Sequence, residues 1–188
     1  MCEYAVLGGI ENGIDIELIY PFIQDARSIC EIGAGYGRIL QYLIKKGYQG
    51  EITGIERSQQ FFSYLKSQYQ ERVNLICVDI MNCHFVQQYD VALWMWSNLS
   101  EWPPHQQFNY LKKLTRWVKP GGIFVMETID AEQRPLNSTT YREQFYCHTG
   151  QHGVTFGYNA SHEEIDHYLL QLNLKRNKYP WVKPHGIR

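Results

Sequence analysis

Two apolar periods alternate along this chain. Short continuous apolar runs bounded by glycines or acids read as buried strands, and apolar residues spaced three and four apart read as helices. Residues 28–33 (SICEIG) make the first run. Residues 38–47 (RILQYLIKKG) follow, with Ile39, Leu40, Leu43 and Ile44 on one helical face and Gly47 placed as a C-cap. A second strand at 51–56 leads to a second helix at 58–71, capped by Ser58 and carrying Phe61, Leu65 and Tyr69 on one side. Strands at 73–79, 89–96 and 123–129 complete the series, with a helix at 105–117 and a turn at Lys119-Pro120-Gly121-Gly122 before the last. Ahead of them, residues 14–23 (IDIELIYPFI) form a periodic helical stretch that Pro21 ends or kinks.

Strands and helices in alternation predict a doubly wound α/β fold, a mostly parallel sheet with helices on both faces. Residues 130–160 break the rhythm. Within them, 141–148 and 154–158 read as two strands around a glycine-containing turn, an inserted β-hairpin after the fifth strand. Ser161-His162-Glu163-Glu164 then caps a helix reaching about Leu172, and 174–179 reads as a sixth strand.

Composition narrows the class. A chain of 188 residues is close to the soft prior of roughly 150 per domain, so one domain is expected, with 1–27 as an N-terminal cover segment and 130–160 as a substrate-side insertion. The formal charge of −1 and the lack of a basic cluster make a nucleic-acid partner unexpected. No apolar run approaches membrane-spanning length. The five cysteines are odd in number and form no CxxC pair, so neither a disulfide framework nor a bound metal is expected, and a cytoplasmic setting fits. The expected assembly is a monomer or homodimer.

The chemistry concentrates at Glu31-Ile32-Gly33-Ala34-Gly35-Tyr36-Gly37-Arg38, between the first strand and the first following helix. Glycines at 33, 35 and 37 let the backbone turn sharply and approach a ligand. The N–H groups opening the next helix suit an anionic group. Arg38 stands where a dinucleotide GxGxxG turn would carry glycine or alanine. Acids also close the next two strands, Glu56 and Asp79. On a parallel sheet these ends share one edge, and Glu56 follows Gly33 by roughly 20 residues, the separation expected of a carboxylate on ribose hydroxyls.

These residues resemble the class I S-adenosylmethionine (SAM)-dependent methyltransferases. EIGAGYG resembles the family's motif I, TGIERS its acidic loop, CVDIMN its adenine-side motif and YDVALWMWSNL its fourth strand; WVKPGGIFVMET resembles the turn into its fifth. The likeness covers about 28–129, with an echo from 161 to 179. It implies SAM as cofactor, held by Glu31 at the methionine amino group, Gly33, Gly35 and Gly37 along methionine and ribose, Glu56 on the ribose hydroxyls, and Asp79 with Ile80 at adenine. Arg57 flanks the adenosine or is simply solvated. Leu93, Met95 and the residues to Ser97 would supply backbone groups near the sulfonium.

The implied reaction is in-line methyl transfer to a nucleophilic atom of a small-molecule acceptor. Approach and orientation do much of such work, and a general base helps for a hydroxyl or protonated amine. Glu101, His105, Glu127, Tyr141, His148 and His152 are the candidates, and none stands out. Trp94, Trp96 and Trp102 flank the fourth strand's exit. Trp94 and Trp96 share parity, which puts them on one face and gives at least one to the core; Trp96 and Trp102 are the acceptor-side candidates. The exit reads Trp96-Ser97-Asn98-Leu99, not the Asn/Asp-Pro-Pro-Tyr/Phe of adenine and glutamine amide N-methyltransferases, which disfavours that class. Two other classes stay open. One is a non-catalytic SAM- or nucleotide-binding module. The other is an NAD-dependent oxidoreductase, against which Arg38 and Asp79 argue.

Overall fold

A computed structural model describes residues 13–83, 87–129, 139–150 and 153–178. Five strands form one parallel sheet: β1 Ser28–Ile32, β2 Glu51–Glu56, β3 Asn74–Cys77, β4 Tyr89–Trp94 and β5 Val118–Met126, in the order β3-β2-β1-β4-β5. Among the described residues, five helices accompany them: α1 Ile14–Ile23, α2 Arg38–Lys45, α3 Gln59–Tyr69, α4 Pro104–Leu114 and α5 His162–Gln171. Both faces of the sheet are covered. Ile29, Ile52, Val91 and Leu93 pack with Ile16, Ile39, Leu43 and Leu65 of α1, α2 and α3. Cys30, Ile32, Ala92 and Trp94 pack with Tyr110, Leu111 and Leu114 of α4, and Tyr168 of α5 joins them. The strands therefore read as continuous apolar runs because both of their faces are buried.

The expected elements appear with three corrections. First, Lys119-Pro120-Gly121-Gly122 does not precede the fifth strand but bulges within it. Tyr89 pairs with Val118 and Val91 with Ile123, so the four residues loop out between two points of contact, and Gly121 takes φ +80° to allow it. Second, the inserted element is a three-stranded antiparallel sheet rather than a two-stranded hairpin: β6 Thr139–Arg142, β7 Phe145–Gly150 and β8 Gly153–Tyr158. Glu143, at φ +54°, breaks the expected 141–148 strand in two. Third, Leu174–Lys178 pairs with nothing in either sheet, so no sixth strand forms there among the described residues. Asn173, at φ +55°, ends α5 and turns the chain away.

Pro21 does not end α1, since the helix runs on to Ile23. Trp94 and Trp96 also part company. Trp94 is buried in the α4 face, whereas β4 stops at Trp94 and Trp96 takes φ +62°, which swings its ring under the Arg38 guanidinium at 5.9 Å.

Candidate active site

All five parallel strands end on one edge. Between β1 and β4 the strand order reverses, since the chain winds outward from β1 in one direction and from β4 in the other. Such a switch point opens a crevice beyond the strand ends, where α/β proteins hold ligands.

The glycine turn sits at that crevice. Gly33 and Ala34 donate their N–H groups to the Ile55 carbonyl at 2.9 Å each, which ties the turn to β2. Gly35, at φ +55°, has open space where a side chain would project. Gly37, at φ +85°, is closed instead: a Cβ there would lie 2.6 Å from Leu65 and 2.7 Å from Tyr69. One glycine thus leaves room for a ligand and the other lets α3 pack against the turn. Gly37 is also the N-cap of α2, and no side chain caps that helix.

Glu56 is the hub. It is buried, and its two carboxylate oxygens accept from Gly35 N–H and Ser58 N–H, both at 2.7 Å. It holds the turn and the start of α3 together. Val78 N–H donates to the Glu56 carbonyl at 3.1 Å, which brings the Asp79 segment alongside. Asp79 lies just beyond β3, half-buried, with one oxygen accepting from Met81 N–H at 2.8 Å. Ile80 is half-buried against the α4-side core.

Glu31 is 5% exposed, and its Oε2 is buried without a hydrogen-bond partner. Burial pushes its carboxyl from 4.5 up to about 8; Arg38 pulls downward, and Asp15 and Glu56 push upward. The Asp15–Arg38 pair is the feature that the sequence reading missed. Both Asp15 oxygens bind the Arg38 guanidinium, one through Nη2 at 2.6 Å, with the side chains almost fully buried. An aspartate inside the apolar stretch IDIELIYPFI was the available signal.

The remaining candidates separate. Leu93 lies within β4, fully buried and paired with Glu31 and Val125, so it supports the site from beneath. Met95 stands at the exit, and its carbonyl accepts from Asn98 Nδ2 at 2.6 Å. Arg57 is exposed and meets Glu101 at 3.7 Å. Trp102 stacks on Tyr110 at 4.0 Å. His105 is exposed beside Gln106. His148 is half-buried on β7, opposite Thr139 and Thr155. Tyr141 lies on β6 opposite Tyr146, its side chain outside the described residues, as is His152 entirely. Glu127 sits one residue past β5 and accepts from Trp96 N–H at 2.6 Å.

Gln107 was also missed. It is fully buried, and its Nε2 reaches the carbonyls of Leu99, Trp102 and Tyr158 at 3.0–3.1 Å. One side chain thereby joins α4, the 3₁₀ turn Asn98–Glu101 and the end of β8.

A parallel sheet with this turn, a buried acid closing β1 and another closing β2 is the build of a Rossmann-like SAM-dependent methyltransferase. The family described as "Methyltransferase domain" matches residues 29–122, and the chain belongs to it. The malonyl-[acyl-carrier protein] O-methyltransferase of Priestia megaterium is 32% identical over 138 residues, covering 71% of this chain and 45% of the relative. The chain thus spans less than half the length of that protein. The carboxy-S-adenosyl-L-methionine synthase of Nautilia profundicola is 24% identical over 170 residues, 87% of this chain and 71% of the relative. Among solved structures, SAM-bound CalS10, an amino pentose methyltransferase from Micromonospora echinaspora, shares the fold at TM-score 0.70 and 14% identity, covering 90% of this chain and 86% of that one.

The residues present fit SAM. The crevice offers an acid with an unpartnered buried oxygen for an ammonium, and a turn with open space at Gly35. The Glu31 assignment has a pH signature. If Glu31 takes the ammonium, SAM would displace the proton that Glu31 holds below about 8, since a bound ammonium favours the carboxylate. Affinity is expected to rise with pH between 6 and 8 by up to about tenfold per unit, with proton release visible in buffer-dependent calorimetry. Glu31→Gln should flatten that rise. A wild-type slope that survives in the variant would remove Glu31 from the ligand. Fold stability runs oppositely: the folded state keeps the proton between 4.5 and about 8, so this contribution is full below 4.5 and is lost as pH climbs through about 8.

Proposed function

We propose that this chain methylates a small acceptor with a flat or apolar body, seated between the 3₁₀ turn after β4 and the three-stranded sheet. The observation that carries the reading is a cavity of about 370 Å³ at that junction, lined by Glu101, Trp102, Arg142, Tyr146, Phe156 and Tyr158 among others. A cavity of that size suits a small molecule. Its aromatic walls suit a planar ring or an apolar chain.

When bound, SAM supplies a methyl group already activated on its sulfonium. In this reading Glu31 takes the ammonium, Glu56 the ribose hydroxyls and Asp79 the adenine amine, with Ile80 against the ring. Trp102, held face to face with Tyr110, gives the acceptor one rigid wall. Among the described residues, Glu101 is the one proposed proton acceptor that lines the cavity, which makes it the first to test as a base. Among the described residues, no helix is long and apolar enough to cross a membrane, which agrees with an acceptor met in water. One relative is named for a malonyl-[acyl-carrier protein] acceptor and one structure for an amino pentose, so both oxygen and nitrogen nucleophiles belong in the screen.

The test pairs SAM with aromatic and aliphatic acids, alcohols and amines, and measures S-adenosylhomocysteine release. Turnover with at least one class is expected, with Trp102→Ala lowering kcat/KM by roughly tenfold, the scale of a lost aromatic contact, while leaving SAM affinity in place. Tight SAM binding with no release from any acceptor would instead favour a non-catalytic binding module.

A further inference from the structure

The exit of β4 carries strained backbone. Trp96 and Ser97, neither of them glycine, follow one another at φ +62° and +50°. Left-handed conformations at such residues persist only where surrounding bonds enforce them. Two side chains do so here. Asn98 Nδ2 donates to the Met95 carbonyl at 2.6 Å, and the same amide would stand 3.2 Å from a Cβ on Gly33. Glu127, just past β5, accepts from Trp96 N–H at 2.6 Å, while its own N–H donates to the Trp94 carbonyl at 3.3 Å. The first of these bonds is short and ionic, the strong kind. The turn is therefore clamped from the β1 side by Asn98 and from the β5 side by Glu127, and it stands over the crevice between β1 and β4.

We propose that Glu127 is a positioning residue that acts through the Trp96 amide. Its carboxylate fixes the 95–98 turn, and that turn sets the Met95 carbonyl and the Trp96 ring against the methionine end of the cofactor site. Breaking the bond from Trp96 N–H to Glu127 Oε2 would release the strained turn.

This inference rests on SAM occupying the β1–β4 crevice, so the experiment reads the clamp and the cofactor separately. Glu127→Gln keeps a carbonyl oxygen that can accept from Trp96 N–H; Glu127→Ala does not. The Trp96 backbone amide proton, followed by ¹H–¹⁵N NMR, should resonate downfield in wild type, move part of the way upfield in E127Q and move fully in E127A. SAM and S-adenosylhomocysteine affinities by calorimetry should fall roughly 10- to 100-fold in E127A, the scale of a lost ionic hydrogen bond, with E127Q recovering most of that loss. Melting temperatures show that each variant is folded. Equal losses in E127Q and E127A would mean that the charge itself contacts the ligand, and the proposal falls. An amide resonance indifferent to both variants overturns the clamp directly. Wild-type protein that ignores SAM sinks the cofactor reading, and the proposal with it, whatever the amide does.

Discussion

Asp15→Ala should destabilise the protein by about 3–5 kcal/mol, the cost of removing one partner from a buried ion pair. Arg38 is 8% exposed, and its two terminal guanidinium nitrogens bind Asp15. Without that carboxylate, a cation is left buried beside Glu31, which in the intact protein is pushed upward in pKa by burial and by Asp15 itself. The variant can compensate in part through Glu31, which ionises at lower pH and becomes a counter-ion. Two measurements follow. Urea unfolding at pH 7 should show the loss, and the pH at which SAM affinity rises should move below that of wild type. Asp15→Ala/Arg38→Met should recover much of the stability, because replacing both members of a buried pair by apolar groups is often close to neutral. If the double variant is no more stable than the single, the pair is not what holds α1 to the glycine turn.

Glu56→Ala should have the largest effect on the cofactor. It removes the acceptor for Gly35 N–H and for Ser58 N–H together, so the turn loses its shape as well as its carboxylate. Charge-assisted bonds of this kind contribute about 1.5–3 kcal/mol each, and part of that reaches the ligand. We expect SAM to bind roughly 100- to 1,000-fold more weakly, or about 3–4 kcal/mol. The ribose assignment has its own readout. Wild type should prefer SAM over its 2′-deoxy analogue, and Glu56→Ala should not distinguish them. A variant that keeps the preference would show that another group reads the hydroxyl.

The parallel core was legible because its strands are buried on both faces. Ile29, Cys30, Ala92 and Leu93 leave no polar interruption to mislead the reading. The glycine turn was legible for a related reason, since its three glycines and two flanking acids are each demanded by a local constraint. What escaped were contacts between residues far apart in the chain. Nothing local in Asp15 announces Arg38, and nothing in Gln107 announces the Tyr158 carbonyl. The three-stranded sheet was half seen. Two strands were read where three form, because the break at Glu143 depends on a non-glycine residue at φ +54°, which no turn signal at Arg142-Glu143-Gln144 advertised. The bulge in β5 was misplaced because Pro-Gly-Gly usually ends a ladder, whereas here pairing resumes beyond it.

The Gln107 amide has two protons and three carbonyls within reach. The Leu99 carbonyl also accepts from Trp102 N–H at 3.2 Å, so the two protons suffice for the junction. A substitution at position 107 would therefore free the end of β8 without touching a single bond of the parallel sheet.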